Sequence, residues 1–335
     1  MQLNEIYQSI QQDLTRVEEI IISVTQADLS WLPETLARDL KTSGKLETLL
    51  THSLTSSGKK IRPALTLLVG KIYNGNIDQL LAVAAAIEIL HTATLVHDDA
   101  IDHADVRRGK ATINKIWDDD KAILLGDYLI AKSVELTATT QNTRVIQNLV
   151  QTIMTICTGE LAQSFDAFNP KQTRQHYLHR IFCKTGALLS LATESGAILS
   201  EAPEKAVKAL REYGYNLGIA FQIIDDIMDF TSTEEEMGKP VGSDLAQGTL
   251  TLPAMLLLER YPDNNPIREI FQNRNPTENI KRAIELVRNS AIIPDCYHLA
   301  SDYSAKACQS LNLLPQNTNR QSLTTLAQYV IERKK

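Results

Sequence analysis

Two short stretches of this 335-residue chain concentrate carboxylates at a spacing that could do chemistry: "LVHDDAIDHADVRRGK", from Leu95 to Lys110, and "FQIIDDIMDF", from Phe221 to Phe230. On a helix, Asp98 and Asp102 share one face, a turn apart. Like charges so placed destabilise a helix by about 0.2–0.5 kcal/mol, so as plain surface groups they bring a cost and no gain. A divalent cation reverses the sign. Mg²⁺ is a hard ion that takes carboxylate oxygens and completes its shell with water and substrate phosphates. Asp225, Asp226 and Asp229 repeat the DDxxD pattern, again among apolar residues. "WDDDKA", at 117–122, is an instructive contrast. Its three successive aspartates cannot share a helical face, and they read as a solvated connection or helix start, where Asp suits the helix dipole. Spacing is the signal, not acidity.

A metal held by carboxylates calls for an anionic substrate, and the basic residues indicate which kind. Lys59, Lys60 and Arg62 cluster in "SGKKIRP", Arg107 and Arg108 follow the first aspartate cluster, Lys184 sits in "FCKTGALL" and Lys239 in "GKPVGSD". No GxxxxGK[ST] loop is present, which argues against nucleotide hydrolysis. The set suits two diphosphates, one bridged by magnesium to the aspartates and one held by basic side chains alone. His91, in "EILHTATL", lies seven residues before Asp98. That is about two helical turns, so it projects from nearly the same face and reads as a ligand contact. His97 and His103 have no such argument and read as structural.

The elements that must position these groups are helical. "IDQLLAVAAAIEILHTATLVHDD" is rich in Ala and Leu without Gly or Pro, and reads as a long buried helix. "RVIQNLVQTIMTICTGELAQSF" and "AVKALREYGYNLGIAFQIIDDIMDF" repeat apolar residues three and four apart. Strand alternation is rarely sustained. Breaks fall at "YNGN", "GSDLAQG" and "YPDNNP", none of them a long linker. The expectation is one all-α domain spanning 1–335. A net charge of -6 argues against non-specific nucleic-acid binding, which needs a basic face. Cys157, Cys183, Cys296 and Cys308 show no metal or CxxC spacing and read as reduced thiols. The opening residues do not follow a secretory pattern, and no apolar run reaches the roughly 18 residues of a membrane span. A cytoplasmic protein without a transmembrane segment is expected.

The ordered series "SGKKIRP", "HTATLVHDDAIDHADVRRGKAT", "GELAQ", "KTGALL", "FQIIDDIMDF" and "GKPVGSDLAQGTLTLP" resembles the trans-isoprenyl diphosphate (polyprenyl) synthases over about residues 57–253, most closely their long-chain, octaprenyl- or solanesyl-type members. The resemblance implies the all-α isoprenoid synthase bundle, usually a homodimer, with both aspartate clusters facing a deep central cavity. It implies three Mg²⁺ ions, with Asp98, Asp102, Asp225 and Asp229 as ligands and Asp99 and Asp226 assisting around them. Lys59, Arg62, His91 and Arg108 match positions that bind isopentenyl diphosphate. Arg107, Lys184 and Lys239 match those that touch the allylic diphosphate, and Thr185 and Gln222 fall where dipoles lie near the developing cation. Two departures stand out. Thr249 replaces the lysine common in the last motif, and His103 replaces a glutamate often found after the first cluster.

The implied reaction is head-to-tail condensation. The allylic C–O bond ionises, the double bond of isopentenyl diphosphate attacks, and the released diphosphate takes the proton. In this family an aromatic residue just before the first cluster closes the product pocket. Here Ala93 and Thr94 stand at that point, with Ile89, Ala86 and Ala82 continuing at helical spacing. An open tunnel and a long-chain product, of the kind used for quinone side chains, are expected, against plain helix packing. The alternatives are a farnesyl- or geranylgeranyl-type synthase, a class I terpene cyclase, a squalene-type head-to-head synthase and a non-catalytic subunit of a heteromer. A cyclase or head-to-head enzyme leaves "SGKKIRP" and the second DDxxD unexplained, and a non-catalytic subunit is expected to have lost metal ligands that are intact here.

Overall fold

The computed structural model describes residues 3–26, 28–30, 32–55, 58–233 and 240–333. Within it the chain divides into two compact units, residues 2–150 with 195–202 and residues 151–194 with 203–335. The all-α expectation holds for both, apart from one small hairpin.

The first unit begins with α1 (Leu3–Ile6), α2 (Gln11–Ser23), α3 (Glu34–Ser43), α4 (Lys45–Leu54) and α5 (Ile61–Ile72). Its centre is α6 (Ile77–Ile101). Asn74, in the "YNGN" loop, adopts a left-handed φ of 57°, and Asn76 then caps α6 by accepting from the N–H groups of Asp78 and Gln79. Along its body α6 is apolar all round. Leu80, Ile87, Ile89 and Leu90 are buried, and the helix packs against α5 and α8 (Asp119–Ala138). Contrary to the sequence expectation, α6 is long and apolar enough to cross a membrane, but most of that span is buried inside the protein. An unbroken Ala/Leu run serves a core helix equally well.

Past α6 the chain forms the one strand pair among the described residues, β1 (Val106–Arg107) against β2 (Lys110–Ala111). Arg108 and Gly109 make its two-residue turn with φ of 51° and 76°. Positive φ at both central positions is what a tight hairpin of this hand requires. The sequence reading missed it because Arg-Gly is a weaker signal than Asn-Gly. After α7 (Ile113–Ile116), Asp118 caps α8 by accepting from the Lys121 N–H at 2.8 Å, with Asp119 and Asp120 in the first turn. The "WDDDKA" run is thus a helix start.

α9 (Thr143–Phe165) and α11 (Ala187–Leu199) each contribute residues to both units. The second unit contains α10 (Arg174–Ile181), then a five-residue π-helical turn, Phe182–Gly186, and α12 (Glu204–Thr231). It continues through α13 (Ser243–Ala246), α14 (Leu252–Arg260), α15 (Pro266–Phe271), α16 (Pro276–Arg288), α17 (Ile292–Ser310) and α18 (Thr318–Glu332). Ile223, Ile227 and Phe230 of α12 pack in a buried cluster with Tyr177, Leu257, Ile292 and Ala300. Truncating Phe230 to Ala there would cost about 3–5 kcal/mol. The four cysteines are free thiols, Cys183 and Cys296 buried and Cys157 exposed.

Candidate active site

In the first unit the site residues gather around the C-terminal end of α6. Asp98 lies in its last turn, and Asp102 caps it, donating its N–H to the Asp98 carbonyl at 2.8 Å. The two residues therefore remain one turn apart, as their spacing predicts. They also sit at the negative end of the helix dipole, where carboxylates are disfavoured and a cation is favoured. Asp99 turns inward. Only 6% exposed, it accepts a hydrogen bond from Arg107 Nε at 2.7 Å. Burial raises the Asp99 carboxyl above the usual range, against the pull of Arg107.

His91, two turns before Asp98, is held well below the usual imidazole range by burial and by the positive charges of Arg62, Arg108 and Arg107. Those three arginines are the ones named as diphosphate contacts. Arg62 enters from the first turn of α5, opened by Lys60 in a left-handed conformation with φ of 51°. Gly58 lies so close that a Cβ built on it would stand 3.2 Å from Arg108 Nη1. Lys59 follows, its carbonyl accepting from the Tyr7 hydroxyl at 3.1 Å. The structure thus brings the "SGKKIRP" segment, His91 and the arginine pair together, although Ser57 lies outside the described residues. A small pocket beside the hairpin is lined by Thr92, Leu95, Asp99, Arg107 and Arg108. Ala86, Ile89 and Ala93 are fully buried, and Thr94 is half-buried with its hydroxyl donating to the His91 carbonyl. His97 bonds the Ile123 carbonyl and packs into the notch left by Gly126, in keeping with a structural role.

In the second unit the π-helical turn carries Cys183, Lys184 and Thr185. Two close approaches seat it. A Cβ on Gly159 of α9 would meet the Cys183 Cβ at 2.3 Å, and one on Gly218 of α12 would meet the Gly186 Cα at 2.4 Å. Only glycine fits at either point. The first approach sets Glu160 3.3 Å from Lys184 Nζ, and the second, one turn before Gln222, lets the Thr185 hydroxyl donate to Gln222 Oε1 at 2.6 Å.

The aspartates of α12 have protein partners. Asp225 Oδ1 accepts from Arg333 Nη2 at 2.6 Å. The same guanidinium donates to the Phe221 carbonyl at 2.8 Å and lies over the Phe221 ring. Asp226 is buried, accepting from Tyr177 and Gln222. Burial and the nearby charge of Asp244 push its carboxyl up to about 7, against those hydrogen bonds and Arg180. Asp229, also buried, accepts from the Ser243 hydroxyl at 3.0 Å and the Asp244 N–H at 3.4 Å, so it ties down the start of α13. Thr249, at the departure from the common last motif, donates its N–H to the Asp244 carbonyl. Lys239 lies outside the described residues.

Residues 43–287 match the family model for polyprenyl synthetase. The chain belongs to the polyprenyl synthetase family. It is a trans-prenyltransferase with the isoprenoid synthase fold. Among curated relatives, heptaprenyl diphosphate synthase component 2 of Bacillus subtilis is 41% identical over 283 residues, covering 84% of this chain and 81% of that protein. Among solved structures, heptaprenyl diphosphate synthase from Staphylococcus aureus is 35% identical with a TM-score of 0.87, covering 100% of this chain and 99% of that one. A polyprenyl synthase from Caulobacter crescentus CB15, complexed with calcium and isoprenyl diphosphate, is 30% identical with a TM-score of 0.90, covering 100% and 98%.

Sequence reading of this prenyltransferase missed Arg333 and Tyr177. Arg333 is 108 residues from Asp225, and Tyr177 is 49 from Asp226. Neither sits in one of the family motifs, and Arg333 lies in the charged run "ERKK", which reads as a solvated end. The signal for Tyr177 was its place in "HYLHRIFCKTG", two turns before Lys184 on the helix leading into the π turn.

Proposed function

We propose that this prenyltransferase condenses isopentenyl diphosphate head-to-tail with an allylic diphosphate, using magnesium, and repeats the step to a long all-trans polyprenyl diphosphate. The observation that supports the reading is that Arg62, Arg107 and Arg108 act together on His91, on the helix that ends in the Asp98–Asp102 pair. Two carboxylates at the negative end of α6 form a donor set that fits a hard cation. Mg²⁺ relies on one or two carboxylates plus substrate phosphates. Asp98, Asp102, Asp225 and Asp229 are assigned to hold it, with Asp99 and Asp226 orienting their neighbours. When bound, magnesium supplies positive charge that stabilises a leaving diphosphate.

Arg107, Lys184 and Lys239 grip the allylic diphosphate, and Arg107 keeps its terminal nitrogens for this while Nε holds Asp99. Lys59, Arg62, His91 and Arg108 grip isopentenyl diphosphate, His91 contributing a hydrogen bond rather than a charge. As the allylic C–O bond breaks, its electron pair leaves with the diphosphate. The double bond of isopentenyl diphosphate supplies the pair for the new C–C bond, and the proton then lost passes to the released diphosphate. The Thr185 and Gln222 dipoles stabilise positive charge on the allylic carbon. Apolar surroundings keep water from trapping it.

The small residues before Asp98 support a long product. Ala93→Tyr is expected to shorten it, and an unchanged product distribution would refute the assignment of Ala86, Ile89, Ala93 and Thr94 to the chain-length pocket. The working form is a cytoplasmic homodimer of one domain per chain. A second reading, a heteromer, rests on a specific similarity, because the Bacillus subtilis relative is named as component 2 of a heptaprenyl diphosphate synthase. Purified chain given magnesium and both substrates separates the readings. Turnover alone supports the homodimer, and turnover only after a partner is added supports the heteromer. Product formed equally well without isopentenyl diphosphate would mark a cyclase and overturn both.

A further inference from the structure

Asp226 is only 3% exposed, and both of its oxygens are occupied. Oδ2 accepts from the Tyr177 hydroxyl at 2.7 Å and Oδ1 from Gln222 Nε2 at 2.9 Å. Gln222 Oε1 in turn accepts from the Thr185 hydroxyl at 2.6 Å. The hydrogen bonds give this chain a direction, with the Tyr177 hydroxyl and the Gln222 amide NH₂ both pointing at Asp226. The Gln222 carbonyl is thereby turned to Thr185, and the single Thr185 proton is used there. What Thr185 presents elsewhere is oxygen lone-pair density. Had the amide been turned the other way, Thr185 could offer a proton instead.

The far end of the chain is rigid. Tyr177 is fully buried on α10, and the Arg180 guanidinium lies over its ring at 5.6 Å. Arg180 is itself fixed, donating to Gln172 Oε1 and to the Leu250 carbonyl, each at 2.6 Å. Nothing in this arrangement needs Tyr177 to touch a substrate. It holds the group that holds the group beside the substrate.

We propose that Tyr177 is a positioning residue for the condensation. Through Asp226 it locks the amide of Gln222, so that Gln222 and Thr185 turn acceptors rather than donors toward the allylic carbon as positive charge develops. The inference rests on the reading that Thr185 and Gln222 lie beside the allylic substrate.

Tyr177→Phe keeps the ring and deletes one hydrogen bond. It is expected to lower kcat about ten- to a hundred-fold, the usual range for a group acting through a ligand-contacting residue. KM for isopentenyl diphosphate and calorimetric binding of the allylic diphosphate alone should stay within about two-fold, because no anion contact is lost. In a Gln222→Ala background the same change should have almost no further effect. A purely structural tyrosine would instead give losses that multiply and follow the melting temperature. Should Tyr177→Phe fail to fold, Arg180→Met loosens the ring and leaves the hydroxyl. A smaller kcat loss, again absent in the Gln222→Ala background, supports the inference. Wild-type kcat in Tyr177→Phe, or multiplying losses in either cycle, overturns it while leaving the prenyltransferase reading intact. A wild-type enzyme that does not consume isopentenyl diphosphate removes both.

Discussion

Asp98–Asp102 closes a helix, whereas Asp225–Asp229 lies within one. Both segments read DDxxD, and in each the second aspartate is buried and hydrogen-bonded, Asp99 to Arg107 and Asp226 to Tyr177 and Gln222. The outer aspartates differ. Asp102 stands at the exposed C-cap of α6, and with Asp98 it concentrates negative charge at the negative end of a helix dipole. Asp225 is paired with Arg333, and Asp229 is buried against the Gly242–Asp244 loop. The same spacing thus gives a first cluster at the negative end of a helix dipole and a second cluster within a helix that also ties down the fold. Function and stability should separate in the first and be entangled in the second.

Paired substitutions test that difference most severely. Asp98→Ala should lower kcat by on the order of 10³, the scale of removing a key electrostatic group, and change the melting temperature less than Asp225→Ala, because it also relieves a carboxylate at the negative end of α6. Asp225→Ala should lower kcat by on the order of 10² and also destabilise. Arg333, whose side chain is 4% exposed, would lose its counter-charge. About 2 kcal/mol is expected, below the usual loss for a fully buried pair because Asp225 keeps some solvent contact. Thermal melts of the two variants decide the matter, and equal melting temperatures would break the comparison.

Arg333→Ala sharpens it from the other side. Removing the guanidinium should lower stability yet release Asp225 to a cation, so half-maximal activity should need a few-fold less magnesium. A higher requirement would mean that Arg333 helps to build the metal site rather than competing for it.

The smallest effect concerns pH. Because the Asp226 carboxyl is raised to about 7, the folded state holds that proton more tightly than the unfolded chain does. Its contribution to stability is present below the ordinary aspartate range and is lost as pH rises through about 7. Melts of metal-free protein across that window should therefore fall less steeply for Asp226→Asn than for wild type. An unchanged slope would show that the carboxyl titrates as an ordinary one.

Local pattern carried much of this structure. The α6 and α12 helices, the Asn-rich loop before α6 and the helix start at "WDDDKA" follow from periodicity and spacing within one or two elements, whereas the grouping of His91 with its arginines was legible only through the family resemblance. The Arg108–Gly109 turn was less legible, because positive φ at a non-glycine residue carries little sequence signature. The π turn at Phe182–Gly186 is imposed by contacts at Gly159 and Gly218, both distant in sequence. Partners of the second cluster were illegible for the same reason. Tyr177 and Arg333 meet α12 only through tertiary packing, and no single-helix rule relates them to Asp226 or Asp225.

The most direct test of the account is chromatography of the dephosphorylated product. Purified chain alone would be supplied with magnesium, labelled isopentenyl diphosphate and an allylic primer. The account predicts a labelled all-trans polyprenol longer than geranylgeraniol, absent when either magnesium or isopentenyl diphosphate is omitted. A labelled product no longer than geranylgeraniol, or no labelled product until another polypeptide is added, would contradict it.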